Sequence, residues 1–144
     1  MNEVYGDAWE LLDKGEYSAL CITTNGCLRK SGANVMGRGI ALEAKQRFPD
    51  IDMELGKLIK ANGNIFQYIG NHLFAFPTKN DWKDKSDIEL IKESAKLLAR
   101  RATRHPNAKY LLPRPGCSNG KLYWKMVKSQ IQDVLPGNVY VIHN

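Results

Sequence analysis

Cysteine is scarce in this chain, and its scarcity argues against two classes of small protein. The 144 residues include three cysteines, Cys21, Cys27 and Cys117, an odd number that cannot pair completely. A disulfide framework is therefore not expected, and a reducing compartment is favoured. The three histidines are scattered and complete no zinc-ligand spacing with the cysteines, so we expect no metal site.

Long apolar runs are also missing. No stretch approaches the roughly 18 apolar residues of a membrane-spanning helix. Residues 1–12, MNEVYGDAWELL, carry acids where a secretory signal carries basic residues, and no small-residue cleavage site follows. No repeat, linker or low-complexity tract divides the chain. These absences predict a single cytoplasmic domain over residues 1–144, monomeric and without membrane contact.

Acidic residues are outnumbered by basic ones. The chain has 15 Asp and Glu against 21 Lys and Arg, a net charge of +6. Such a surface is either simply well solvated or suited to a polyanionic partner, a nucleotide-like ligand or nucleic acid. No Lys/Arg run reaches five residues, and the densest basic stretch is ARRATRH at 99–105. This pattern favours a small anionic ligand, with nucleic acid as a further possibility.

The remaining pattern alternates strands and helices. YSALCITT (17–24) is an almost continuous apolar run, typical of a strand covered on both faces. SDIELIKESAKLLARRA (86–102) gives the clearest helix signal, and Ser86 with Glu89 predicts a capping box at its start. We therefore expect an α/β fold, a mixed, mostly parallel sheet of about six strands with helices on both faces. The expected strands are 3–5, 17–24, 65–70, 73–76, 109–113 and 138–143, and the expected helices are 6–15, 40–48, 52–63, 86–102 and 122–135.

Two glycine-containing loops are expected to join a strand to a helix, the place where ligands bind in open α/β sheets. The first is TNGCLRKSGANVMGRGIA (24–41), and the second is RPGCSNGKLYW (114–124). The second differs from a triphosphate P-loop, because three residues instead of four separate Gly116 from Gly120 and Leu122 replaces the metal-binding hydroxyl. Either loop alone could be an ordinary turn. Together, with amides exposed at one edge, they predict a clamp for a diphosphate that is held and not cleaved.

Four motifs occur in the order and spacing of a known family. They are VYGDAW around Asp7, the loop at 24–41, FPTKNDWKDKSDIELI at 76–91 and PGCSNGKLYW at 115–124. With them the chain resembles the macrodomain family, a three-layer α/β module that binds ADP-ribose, from about residue 3 to residue 142. The likeness is strongest to the branch with terminal ADP-ribose glycohydrolase and the antitoxin macrodomains that strip ADP-ribose from DNA. Small phage-type macro proteins have a similar layout.

The resemblance implies where ADP-ribose would lie, with no cofactor. Residues 116–121 would cradle the diphosphate and the distal ribose, and residues 37–41 would form the facing wall. Asp7 would accept a hydrogen bond from the adenine amino group, with an ordinary helix N-cap as its alternative role. Asn25 and Asn34 would reach the distal ribose hydroxyls, unless Asn34 is a plain loop residue. The implied ligand-binding residues are Asp7, Ala8, Thr24, Asn25, Gly37, Arg38, Gly39, Ile40, Ala41, Pro77, Thr78, Pro115, Gly116, Cys117, Ser118, Asn119, Gly120, Lys121 and Leu122.

Lys79, at the end of a predicted strand, is the candidate for chemistry, together with Asn34. A lysine is normally protonated at neutral pH, with a reference pKa of about 10.4. Burial beside other cations lowers that pKa, and Arg38, Lys83 and Lys85 are the expected neighbours. A neutral amine could attack the anomeric carbon of the distal ribose and open the ring as an imine, the role that the resemblance implies. The alternative is a surface lysine that only attracts phosphate.

The chain departs from the glycohydrolase pattern in the second loop. The resemblance implies an aspartate there that helps to release the lysine adduct, but Gly120 holds the matching position and Tyr123 replaces an acid that relatives often carry. Asp81 or Asp84 could supply a carboxylate from the other side. A glutamate at Gly120 is expected to fill the phosphate cradle and leave the fold intact.

Three functions stay open. We expect first a metal-independent mono-ADP-ribosyl hydrolase that acts on a nucleic-acid base or an acidic side chain. The others are a phosphatase for ADP-ribose 1″-phosphate and a non-catalytic ADP-ribose reader.

Overall fold

The computed structural model describes residues 1–144 and contains six strands and five helices. The strands are β1 (Asn2–Tyr5), β2 (Ala19–Asn25), β3 (Gln67–Gly70), β4 (Leu73–Lys79), β5 (Tyr110–Pro113) and β6 (Val139–His143). The helices are α1 (Ala8–Asp13), α2 (Gly39–Arg47), α3 (Ile51–Asn62), α4 (Ile88–Arg104) and α5 (Trp124–Ile131). The strands form one sheet in the order β1-β6-β5-β2-β4-β3, in which only β3 runs antiparallel to its neighbour. The predicted α/β fold with a mostly parallel sheet is confirmed.

Helices cover both faces of the sheet because the central strands are apolar on both faces. Along β2, Ala19 and Cys21 pack in a core with α4 and α5. Leu20 and Ile22 point the other way, into a core with α1, α2 and α3. A fully buried aliphatic side chain contributes about 1.5–3 kcal/mol, so burial on both faces fixes β2 at the centre of a three-layer fold.

The five parallel strands all end at one edge of the sheet, and this edge positions the candidate site. At the end of the β2–β4 ladder Thr24 pairs with Pro77 and Asn25 pairs with Lys79, with an irregularity between the two pairs. Lys79 is therefore the last residue of β4, which continues beyond the predicted strand at 73–76. The loops that follow β2, β4 and β5 meet around it.

The start of α4 differs from the sequence prediction. Asp87 is the N-cap, and its carboxylate accepts hydrogen bonds from the amides of Glu89 (2.9 Å) and Leu90 (3.4 Å). The predicted capping box of Ser86 and Glu89 is wrong, because Ser86 lies one residue before the cap. Its amide donates instead to the carbonyl oxygen of Gly120 (3.1 Å) and ties α4 to the second loop.

The last helix is shorter than expected. Tyr123 is the N-cap and is extended (φ −86°, ψ 131°), so α5 begins only at Trp124, and it ends at Ile131 instead of residue 135. None of the helices has the length and apolarity needed to cross a membrane.

Candidate anion-binding cleft

A cleft of about 430 Å³ opens at the carboxyl ends of β2, β4 and β5. Four of its 20 lining residues are cationic, namely Arg29, Arg38, Lys79 and Arg114, and none is acidic. This charge distribution suits an anion. The cleft contains most of the predicted site residues: Thr24, Asn25, Gly37, Arg38, Gly39, Ile40, Ala41, Thr78, Lys79, Gly116, Ser118, Asn119 and Gly120.

The first wall is the N-terminus of α2. Gly37 and Arg38 donate their amides to no acceptor in the protein, and Arg38 caps the helix without a side-chain hydrogen bond. The amides of residues 39–41 lie in the first turn of α2, where no intrahelical acceptor exists. These donors and the positive end of the helix dipole face the cleft, a common arrangement for binding phosphate.

The second wall is the loop from Gly116 to Leu122. It is closed by hydrogen bonds from the Leu122 amide to the Gly116 carbonyl oxygen (2.8 Å) and from the Lys121 amide to the Ser118 carbonyl oxygen (3.1 Å). The amides of residues 118–120 have no acceptor in the protein. This wall therefore presents a second group of donors opposite the first.

The two walls come close enough to act on one ligand. Gly39 has a φ of 56°, and a Cβ on it would lie only 3.0 Å from the side-chain nitrogen of Asn119. Glycine is thus required there both by the backbone conformation and by the approach of the other wall. Between the walls, the floor carries the hydroxyls of Thr24 and Ser86, both buried and both without a hydrogen-bond partner.

Lys79 lines the cleft, with its Nζ 3.4 Å from the carbonyl oxygen of Asn119 and 3.5 Å from that of Trp82. Burial lowers the pKa of Lys79 below its usual value, the positive charges of Arg38 and Lys121 lower it further, and Asp84 opposes them. A lowered pKa increases the fraction of neutral, nucleophilic amine. The surroundings of Lys79 therefore combine burial with nearby positive charges, as the sequence predicted.

Two of the cations expected beside Lys79 do not act on it. Only Arg38 was placed correctly, and Lys121 takes the role expected of Lys83 and Lys85. Lys83 instead faces Asp81, with Nζ 4.0 Å from a carboxylate oxygen. Of the two carboxylates considered for the missing acid, Asp84 is the one whose charge reaches Lys79.

Gly120 does not have the open position that the sequence suggested. A Cβ on Gly120 would collide with Ser86 Oγ and lie 2.6 Å from the Gly116 carbonyl oxygen. The expectation that Gly120→Glu leaves the fold intact is therefore wrong. The Ser86 hydroxyl fills the space beside Gly120 into which a side chain would extend.

The side chains of Asn25 and Asn34 hold the first loop together. Asn34 is 1% exposed, and its Nδ2 donates to the carbonyl oxygens of Asn25 (3.0 Å) and Cys27 (2.9 Å). Asn25 donates from its own Nδ2 to the Val35 carbonyl oxygen (2.8 Å) and accepts from the Cys27 amide (3.0 Å). Asn34 lies outside the lining of the cleft, and its hydrogen bonds shape the first loop; the catalytic role assigned to it stays a prediction.

The remaining predicted residues lie outside the cleft lining. Asp7 is exposed and caps α1, its Oδ1 accepting from the Glu10 amide (3.0 Å), and its predicted contact with adenine stays a prediction. Burial raises the pKa of the Cys117 thiol, which agrees with its assignment as a loop residue and not a nucleophile. The predicted residues outside the lining are Asp7, Ala8, Asn34, Pro77, Pro115, Cys117, Lys121 and Leu122.

Seven lining residues were missed by sequence reasoning: Thr23, Arg29, Val35, Trp82, Ser86, Pro113 and Arg114. Arg29 lies within the first loop and Arg114 begins the second, so both could have been found by weighing their charge. Ser86 was hidden by its apparent role as a cap. Trp82 gave the signal of an aromatic residue three positions after the key lysine.

No group of three or more His, Cys, Asp or Glu side chains is arranged to hold a metal ion.

Comparison with known proteins agrees with this geometry. No protein-family model matches the chain. A DNA ADP-ribosyl glycohydrolase of Thermus aquaticus is 35% identical over 111 residues, which cover 70% of this chain and 31% of that protein. This chain thus spans about a third of the length of the curated relatives it matches.

Solved structures show the same fold over nearly the whole chain. The macrodomain of Thermus aquaticus DarG has a TM-score of 0.72 at 29% identity and covers 98% of this chain and 95% of its own. Thermosipho africanus DarTG in complex with ADP-ribose has a TM-score of 0.72 at 20% identity, covering 99% of this chain and 41% of its own. Fold and cleft together define a macrodomain. The chain belongs to the macrodomain family, in the branch of the DarG macrodomains.

Proposed function

We propose that this chain binds ADP-ribose in the cleft and acts as a mono-ADP-ribosyl hydrolase, with Lys79 at the distal ribose. One observation carries the proposal: two groups of amide donors face each other across a cleft lined by four cations and no acid. A diphosphate presents oxygens on both sides and needs donors on both walls. The names of the relatives support the same activity, since they describe glycohydrolases of ADP-ribosylated DNA.

In this proposal, different residues bind the ligand and carry out the chemistry. The amides of residues 37–41 and 118–120 hold the diphosphate and bring the distal ribose to Lys79. The neutral amine of Lys79 attacks the anomeric carbon, the ring opens as an imine, and the bond to the modified group breaks as that group takes up a proton. Water then hydrolyses the imine, which frees ADP-ribose and restores the amine. No step requires a metal ion.

The substrate in this proposal is a modified macromolecule, with nucleic acid favoured over an acidic protein. The net charge of +6 attracts the phosphates of a nucleic acid and concentrates such a substrate near the cleft. We propose further that the chain works as a monomer, since a single cleft contains the whole set of groups.

Product release tests the proposal directly. The substrates are an ADP-ribosylated DNA oligonucleotide, an ADP-ribosylated acidic protein and ADP-ribose 1″-phosphate, with products identified by mass spectrometry. We expect free ADP-ribose from one of the first two, released about 100-fold or more slowly by Lys79→Ala. Lys85→Ala is the matched control, because Lys85 is exposed on the same segment and lies outside the cleft.

A non-catalytic reader is the second candidate, and it is favoured by the absence of any carboxylate from the cleft lining. Tight ADP-ribose binding without turnover of any substrate would identify a reader and contradict the hydrolase. Turnover of the 1″-phosphate alone, little affected by Lys79→Ala, would instead identify a phosphatase.

A further inference from the structure

The three tryptophans of this chain differ in what they contact. The indole nitrogens of Trp9 and Trp124 each donate to a glutamate (2.9 and 3.0 Å), and an arginine guanidinium lies over each ring. Trp82 has neither an acceptor for its indole nitrogen nor a cation or ring against its faces, and it is 46% exposed. Its indole is thus a large apolar surface that the fold itself does not use.

The backbone of Trp82 is nevertheless held in place. Its amide donates to Cys27 Sγ (3.4 Å), in the first loop, and its carbonyl oxygen accepts from Lys79 Nζ (3.5 Å). The residue also lines the cleft. Trp82 therefore lines the cleft with a partly exposed side chain, and its backbone lies directly beside the amine to which the distal ribose is assigned.

The group bonded to the distal ribose is released at Lys79, and Trp82 is the aromatic residue of the cleft lining beside that amine. A flat aromatic ring in that position offers a stacking surface, which a nucleobase can use and the carboxylate of an acidic side chain cannot. We propose that Trp82 is a specificity-determining residue whose indole stacks on the nucleobase that carries the ADP-ribose. This inference rests on the proposed function of the cleft and assigns the residue that recognises the leaving group.

The positive charge near Lys79 does not distinguish a nucleic acid from an acidic protein. Two exposed cations lie in this region: Arg29 lines the cleft, and the charge of Lys121 acts on Lys79. These cations attract the phosphates of a nucleic acid, but they attract an acidic protein equally well. Only the unused ring distinguishes the two classes of substrate, so the indole and not the charge is assigned to specificity.

Binding in a Lys79→Ala background tests the proposal without turnover. The probes are free ADP-ribose, a peptide with ADP-ribose on a glutamate, and single-stranded DNA and RNA oligonucleotides with ADP-ribose on one base. We expect a further Trp82→Ala substitution to weaken oligonucleotide binding by about tenfold or more, with free ADP-ribose and peptide bound as before. Trp82→Phe keeps a stacking face and retains most of the affinity.

Tyr123→Ala is the matched control. Tyr123 is an even more exposed aromatic residue, at 82%, near the end of the second loop but outside the cleft lining. Its removal is expected to leave every probe bound equally well. An equal loss on DNA and RNA would show recognition of the base alone, whereas a loss on one of them would show that the sugar is also recognised; both outcomes support stacking.

Three results would overturn the proposal. Trp82→Ala could weaken all four probes equally, which would make the residue part of the ADP-ribose site. It could weaken the peptide more than the oligonucleotides, or it could weaken nothing. Failure of the proposed hydrolase is separate, because it would appear as wild-type protein that releases no ADP-ribose from any substrate while the binding comparison still decides the role of Trp82.

Discussion

At the scale of single residues, the reactivity of Lys79 depends on charges held by its neighbours. Burial, Arg38 and Lys121 lower its pKa, and Asp84 raises it. The neutral amine is the reactive form in the proposed mechanism, so the rate rises with pH up to the pKa of Lys79 and then levels off. The position of this rising limb reports the pKa, and each neighbour should move it in a direction fixed by its charge.

Neutralising two of these neighbours should move the limb in opposite directions. Lys121→Gln removes a positive charge, raises the pKa of Lys79 and moves the limb to higher pH. Asp84→Asn removes a negative charge, lowers that pKa and moves the limb to lower pH. Profiles of kcat from about pH 6 to about pH 10, around the usual range of lysine, measure both shifts. Lys85→Gln serves as the control with no shift, and limbs that move in the same direction for both variants would rule out the electrostatic explanation.

At the scale of secondary-structure elements, strands and helices were predictable, but the side-chain contacts within the loops between them were not. β2 was predicted because both of its faces are buried, which leaves an almost continuous apolar run in the sequence. The glycine loops were predicted as anion-binding elements because glycine and a following helix are local signals. The role of Asn34 could not be predicted, because its three hydrogen bonds depend on how the first loop folds back on itself.

The first loop is shaped in part by α3, which packs against it backbone to backbone. A Cβ on Gly56, in the middle of α3, would collide with the Gly32 carbonyl oxygen and lie 3.2 Å from Ala33 Cα. The Asn34 amide also donates to the Asp52 carbonyl oxygen of the same helix (2.9 Å). The loop that carries one wall of the cleft therefore rests on a glycine that sequence patterns alone would mark as a weak point of the helix.

Gly56→Ala should reverse the usual effect of such a substitution. An alanine normally stabilises a helix interior by about 0.5–1 kcal/mol relative to glycine. Here the added methyl group pushes the loop away, and we expect a loss of about 1–3 kcal/mol, the usual cost of overpacking, together with weaker ADP-ribose binding. Urea unfolding and calorimetry measure the two effects. Lys57→Ala, at an exposed position of α3, is the control, and a stabilised Gly56→Ala protein would contradict the backbone contact.

At the scale of the whole molecule, the cleft is built from two segments that are far apart in the sequence. One wall belongs to the segment between β2 and α2, and the other belongs to the segment between β5 and α5. The layered fold that brings the two walls together follows from the alternation of strands and helices and was predicted. The position of the second wall, in contrast, depends on the packing of Ser86, at the start of α4, against the second loop. A ligand that spans both walls should therefore stabilise the entire fold.

This stabilisation can be measured and then abolished at one position. Ligand at about 100 times its Kd should raise the free energy of unfolding by about 2.7 kcal/mol.

Gly37 lines the cleft, has no atom within 4 Å of where a Cβ would lie and does not have a left-handed φ, so a side chain fits there without strain. Gly37→Glu places negative charge among the phosphate-binding amides, and we expect it to remove the ADP-ribose effect while the unliganded protein stays as stable as before. Gly37→Gln keeps the size without the charge and should retain much more of the effect. Because only the charge separates the two variants, equal stabilisation of both by ADP-ribose would place the diphosphate away from this wall.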